Sequence, residues 1–86
     1  MYLMQYITKP KLIKQVIIIK NKRTLVYNKT RTCINQRQFD MLKYFDGKHN
    51  LAEIGYELSQ EYQAYADYTE IEEFVHYAKE KGWISI

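Results

Sequence analysis

One cysteine, one proline and three glycines in 86 residues leave little material for several common kinds of site. A lone Cys33 excludes an intrachain disulfide and a multi-cysteine metal cage, and it suits a reducing cytoplasm. Three scattered glycines exclude a glycine-rich phosphate loop. Apolar runs are short, Val16-Ile17-Ile18-Ile19 being the longest, so no segment approaches a membrane span and no membrane partner is expected. Residues 1–9 lack the charged start and long apolar stretch of a secretory signal. Histidine is scarce as well. His49 and His76 fall in different elements, far from Cys33, and zinc spacing is missing. Both histidines read as surface residues and Cys33 as an ordinary strand residue. With no catalytic constellation, the chain is expected not to be an enzyme and to need no cofactor or metal.

The most lopsided scarcity is of acid. Residues 1–39 carry nine basic side chains and not one carboxylate, whereas residues 40–86 carry four basic and ten acidic ones, for a net charge of +3. Two readings follow. The halves attract each other across a solvated surface, or the basic half attracts an acidic partner.

Apolar material is plentiful: 47% of residues are hydrophobic and 15% aromatic, with nine tyrosines. That is enough for one small α+β domain spanning residues 1–86, near the lower size limit for a self-sufficient core. Residues 1–9 read as a lead-in, partly ordered through Tyr2, Leu3 and Tyr6, and Pro10 as the start of the domain proper. The β-branched stretch 14–20 predicts a first strand, 23–28 a second and 31–34 a short third. Turns at Asn21-Lys22 and Asn28-Lys29-Thr30 are too short for crossovers, so the strands form an antiparallel meander. Three helices follow. Asn35 with Gln38, Asn50 with Glu53, and Thr69 with Glu72 each have the spacing of a capping box. Gly47 and Gly82 mark left-handed ends of the first and third helices, and 63–68 reads as a loop. The apolar faces are Phe39, Leu42, Tyr44 and Phe45; then Leu51, Ile54, Leu58 and Tyr62; then Ile71, Phe74, Val75 and Ala78. Trp83 to Ile86 form an apolar tail packed over the sheet or the third helix. Strands followed by helices in this order make a winged-helix-like plan.

That plan admits two ligands. A DNA regulator places a helix in the major groove and needs cations on it. Here the second helix has Glu53, Glu57 and Glu61 with no lysine or arginine, and the third has four glutamates against Lys79 and Lys81. Nucleic acid is therefore the lesser alternative. A peptide is favoured. An open edge at the third strand, with donors such as the Thr32 N–H, accepts an extended peptide as an added strand. Its side chains then drop between sheet and third helix.

The stretches KPKLIKQVIIIK, RTLVYNKTRTCIN, FDMLKYFDGKHNLAEIGYELSQEY and EIEEFVHYAKEKGWI, in that order, resemble the PqqD-like domains, or RiPP recognition elements. The markers are Ile34-Asn35 at a strand end, Asp46-Gly47 after a helix, Leu51 to Ile54 at a helix start, and Gly82-Trp83 at the last helix end. The resemblance covers about residues 9–86. It implies a non-catalytic module that holds the leader of a ribosomally made precursor peptide and presents it to a modifying enzyme: a radical-SAM protein, a cyclodehydratase or a leader peptidase. Carried over by position, the peptide-binding residues are Arg31, Thr32, Cys33 and Ile34 on the third strand, with Phe74, Tyr77, Ala78 and Lys81 on the third helix. The first strand is more β-branched than the family pattern, and His76 and Tyr77 are larger, which leaves open which side of that helix lines the groove. The Met1 start and the end at Ile86 favour a free-standing protein over an excised domain.

Overall fold

The computed structural model describes residues 8–64 and 67–86; the expectations for Tyr2, Leu3 and Tyr6, and the middle of the 63–68 loop, lie outside them. Its elements run β1 (Lys11–Leu12), β2 (Ile17–Ile19), β3 (Thr24–Tyr27), β4 (Thr30–Cys33), α1 (Gln36–Leu42), α2 (Leu51–Tyr62), α3 (Tyr68–Lys81) and β5 (Ile84–Ser85), with a 3-10 turn over Lys20–Lys22 between β2 and β3. The expected small α+β domain is there: a three-stranded antiparallel sheet in the order β2-β3-β4, followed by three helices.

The β3–β4 hairpin is made by its turn. Asn28 and Lys29 both have positive φ, at 53° and 65°, so the two residues twist the way the flanking strands do and pair Tyr27 with Thr30. At the other turn, Arg23 is left-handed and closes the Lys20–Lys22 turn on the Lys20 carbonyl. This trims the first strand to three residues where the β-branched run predicts seven.

Two capping boxes form as expected. Asn35 and Gln38 satisfy each other's backbone N–H at the start of α1, and Asn50 and Glu53 do so for α2. The third helix departs from expectation. Asp67 is its N-cap, accepting from the Thr69 N–H, so Thr69 lies inside the first turn. An aspartate two residues upstream competes for the same orphan donors, and its charge suits the positive helix end better. Gly82 ends α3 in the left-handed conformation, φ +81°, as expected. Gly47 does not cap α1, which stops at Leu42 with Lys43 in a right-handed C-cap. Gly47 instead turns at φ +79° four residues later, its N–H donating to the Pro10 carbonyl at 2.9 Å.

That contact belongs to a second, smaller sheet. β1 pairs antiparallel with β5, Lys11 opposite Ser85 and Leu12 opposite Ile84. Leu12 N–H donates to Phe45 and Ile13 N–H to Trp83, sewing the start of the chain between the end of α1 and the tail. The tail thus becomes a strand, with Trp83 and Ile84 buried. Its partner is more than seventy residues away in the chain, so no local pattern announces it.

The core lies between one face of the meander and the helices. Leu25 of β3, Leu51 and Ile54 of α2, and Val75 and Ala78 of α3 are wholly inaccessible. Gly55 lets α2 meet α3, since a Cβ there would stand 2.6 Å from the Tyr68 ring. Polar ties brace the helices from outside. Arg37 forks onto Glu70 at 2.9–3.0 Å, joining α1 to α3. Lys43 reaches Glu61 at 2.8 Å, and Tyr44 donates to the same carboxylate. Burial and that bond push the Tyr44 phenol up to about 12.

Candidate functional site: the open edge of the meander

β3 is flanked on both sides, so the sheet has two edges, β2 and β4, and the hydrogen-bond phase decides what each can offer. Ile34 N–H donates to the Arg23 carbonyl at 3.0 Å. Hydrogen-bonded pairs alternate along an antiparallel ladder, so Leu25–Thr32 and Tyr27–Thr30 also turn their backbone groups toward each other. The N–H and C=O groups of Arg31 and Cys33 therefore point outward, away from β3. The same alternation makes Val26 and Thr24 face Ile17 and Ile19, leaving Ile18 alone on the outer side of β2. One edge presents two residues with four backbone groups that have no partner strand among the described residues. The other presents one.

This phase corrects the role of Thr32. Its N–H is spent on β3, and an added strand would be held by Arg31 and Cys33. Side chains alternate the other way. Arg31 and Cys33 lie on the outer face of the sheet, with Val26 and Ile17, and are exposed. Thr30 and Thr32 lie with Tyr27 and the buried Leu25 on the helix side. Ile34 is buried in the core.

Of the four α3 residues expected to line the groove, the fold brings two to the surface. Phe74 is 3% exposed and Ala78 not at all; both belong to the core because α3 turns its 71-74-75-78 stripe inward. Tyr77 and Lys81 stay exposed, one turn apart, with the Lys81 ammonium 5.5 Å from the centre of the Tyr77 ring. Tyr77 stands edge-on to Trp83 at 5.4 Å and near-parallel to Phe74 at 6.5 Å, and Phe74 stacks on Phe45 at 5.8 Å. The aromatic wall on the α3 side is thus rigid and continuous with the core.

Between this wall and the hairpin lies a recess of about 150 Å³, lined by Tyr27, Asn28, Thr30, Thr32, Lys81 and Trp83. Tyr27, Asn28, Thr30 and Trp83 are the residues that sequence reasoning missed. The Asn28-Lys29 turn was the available signal, because it pairs Tyr27 with Thr30 and puts both on the face of Thr32. Gly82 packs beside the recess: a Cβ there would make ordinary contact with the Tyr27 ring and hydroxyl at 3.5 Å, so glycine is required by its φ of +81° and not by space. A larger and more apolar recess, about 410 Å³, lies at the opposite edge among Leu12, Ile18, Lys20, Phe39, Asp40, Leu42 and Lys43.

Charge distinguishes the two readings of the basic half. Of the nine cations in residues 1–39, Arg37 alone forms an ion pair among the described residues, and it sits on a helix. Lys20, Lys22, Lys29 and Arg31, on the turns and edge of the meander, form no ion pair with the acidic helices among the described residues.

The remaining chemistry-bearing side chains are scattered. His49 Nδ1 lies 2.9 Å from Asp46, whose carboxylate also accepts the Lys48 and His49 backbone N–H groups. Burial would raise the Asp46 pKa, but these bonds outweigh it and lower it to about 2. Cys33 is a free, exposed thiol 4.0 Å from the Thr24 hydroxyl. No cluster of three or more histidine, cysteine or carboxylate side chains is placed to hold a metal ion among the described residues. Among the described residues no helix is long and apolar enough to cross a membrane. No family model, curated protein or solved structure matches this chain.

Proposed function

We propose that this domain is a non-catalytic peptide-recognition module, capturing an extended segment by strand addition at β4. The observation that carries the reading is the outward pair of backbone groups at Arg31 and Cys33. They stand beside an α3 wall whose Tyr77 and Lys81 remain exposed. The meander cations without ion pairs among the described residues favour an acidic segment, by steering its encounter. In keeping with the resemblance to the PqqD-like domains, the segment is the leader of a ribosomally made precursor, and the beneficiary is a peptide-modifying enzyme in the cytoplasm. A few buried side chains, less the cost of ordering the peptide, give an affinity of roughly micromolar order.

The test is a selection of displayed random peptides on the protein, followed by amide hydrogen exchange of the complex. Binding at β4 slows exchange at Arg31 and Cys33, whose N–H groups have no partner strand among the described residues. Failure of every peptide to bind at about 100 μM, or protection at Ile18 with none at Arg31 and Cys33, would overturn the reading. A sequence-specific duplex DNA complex surviving near-physiological salt would replace it with a winged-helix regulator.

A further inference from the structure

The recess at the Lys81 end of the groove has a composition unlike an apolar anchor pocket. Resting on the peptide-capture reading, we infer that it is a subsite for one carboxylate side chain, an aspartate or glutamate of the captured peptide.

Position comes first. In an added strand, the residue opposite Thr30 or Thr32 shares their face of the sheet and points toward α3. Opposite Thr32 it occupies a non-hydrogen-bonded pair, the position where facing side chains approach most closely. Such a side chain enters the space bounded by Thr30, Thr32, Lys81 and Trp83. At about 150 Å³ the recess holds roughly five water volumes, room for one short polar side chain.

Chemistry then selects the side chain. The residues that line it carry an ammonium (Lys81), hydroxyls (Thr30, Thr32 and Tyr27) and an amide (Asn28), all able to donate. Among the described residues no acidic side chain lines it. Lys81 forms no ion pair among the described residues and rests against the Tyr77 ring, which stands edge-on to Trp83. A lysine or arginine entering here meets a like charge. An aliphatic side chain strips water from the threonine hydroxyls and returns nothing. A carboxylate accepts from several donors at once, and the buried indole of Trp83 at the back shields the pair from solvent. Lys29, at the tip of the hairpin and likewise without an ion pair, adds to the positive potential on the approach.

The experiment selects displayed random peptides on the wild-type protein and, separately, on Lys81→Glu; Lys81 is exposed, and circular dichroism checks that the variant folds. Wild type is expected to enrich peptides with Asp or Glu at one fixed position. Those peptides should bind Lys81→Glu about tenfold or more weakly, and selection on the variant should enrich Lys or Arg at the same position. Lys81→Gln should fall between the two. If the enriched peptides carry an apolar residue at the position that responds to Lys81, or no position responds, the carboxylate subsite is wrong. An Arg31→Pro control separates the two failures. Loss of binding in that variant leaves peptide capture at β4 standing on its own, whereas undiminished binding removes the groove and the subsite together.

Discussion

The two edges of the meander differ in the opposite sense from a ranking by hollow size. The β2 edge lies above the larger and more apolar recess, floored by Leu12, Phe39 and Leu42. The β4 edge lies beside a smaller, polar one. Yet β4 presents the backbone of Arg31 and Cys33, and β2 only that of Ile18. Strand addition draws its affinity from main-chain pairs, and a single residue between a loop and a 3-10 turn cannot set a register. Apolar room and backbone valence are thus separated onto opposite sides of one small sheet, and valence is what an extended ligand needs.

The largest expected effect tests the support beneath the β4 side. Phe74→Ala removes a buried ring stacked between Phe45 and Tyr77 and should destabilise the domain by about 3–5 kcal/mol, read from urea unfolding. Tyr77→Ala, at a position 38% exposed, should cost far less stability while weakening peptide binding. Equal stability losses for the two would mean that Tyr77 is core and not wall.

Next comes the edge itself. Arg31→Pro removes an outward N–H without touching the β3 ladder, a position that edge strands tolerate. It should weaken binding of selected peptides by about tenfold or more, with the fold intact by circular dichroism. Thr32→Pro breaks the bond to Leu25 and should lower the unfolding midpoint as well. Reversal of these two outcomes would show that the ladder phase is shifted by one residue.

A smaller effect concerns the turn that carries β1 against the rest. Asp46 is held at about 2, below its ordinary 3.8, so its bonds add stability above that ordinary value and lose it as pH falls from there toward 2. Asp46→Asn should flatten the fall in stability over that window, measured by urea titration at several pH values. The smallest expected effect is at the opposite edge. Ile18→Lys puts a charge at the mouth of the apolar recess, and affinity for the selected peptides should stay within about twofold of wild type, a change near the resolution of binding energies. A marked loss there would move the ligand to β2.

Much of this was legible from the chain. Asn35-x-x-Gln38 and Asn50-x-x-Glu53 set two helix starts because a capping box needs only residues within one turn. The stripe Ile71, Phe74, Val75, Ala78 gave the buried face of α3, since helical period and burial are the same statement. The spacing of Thr69 and Glu72 points to a start of the third helix that the structure does not use, because Asp67 and Thr69 offer competing caps and the winner depends on which backbone the loop brings into place. Gly47 was read as a helix cap because an αL glycine serves helix ends and other turns alike.

The sequence by itself determined the three-stranded meander followed by three helices, a turn starting at Asn28-Lys29, and the division into a basic strand half and an acidic helical half. Each follows from neighbours a few residues apart. Only the tertiary structure decided the pairing of β1 with β5 and the recess shared by Thr30, Thr32, Lys81 and Trp83. It also decided which strand residues turn their backbone outward. A one-residue change of ladder phase exchanges Thr32 for Arg31 and Cys33 without altering the alternation of side chains that a sequence displays. Phase is fixed by the hairpin closing on its turn and by Ile34 reaching Arg23, contacts that exist only once the chain has folded back on itself.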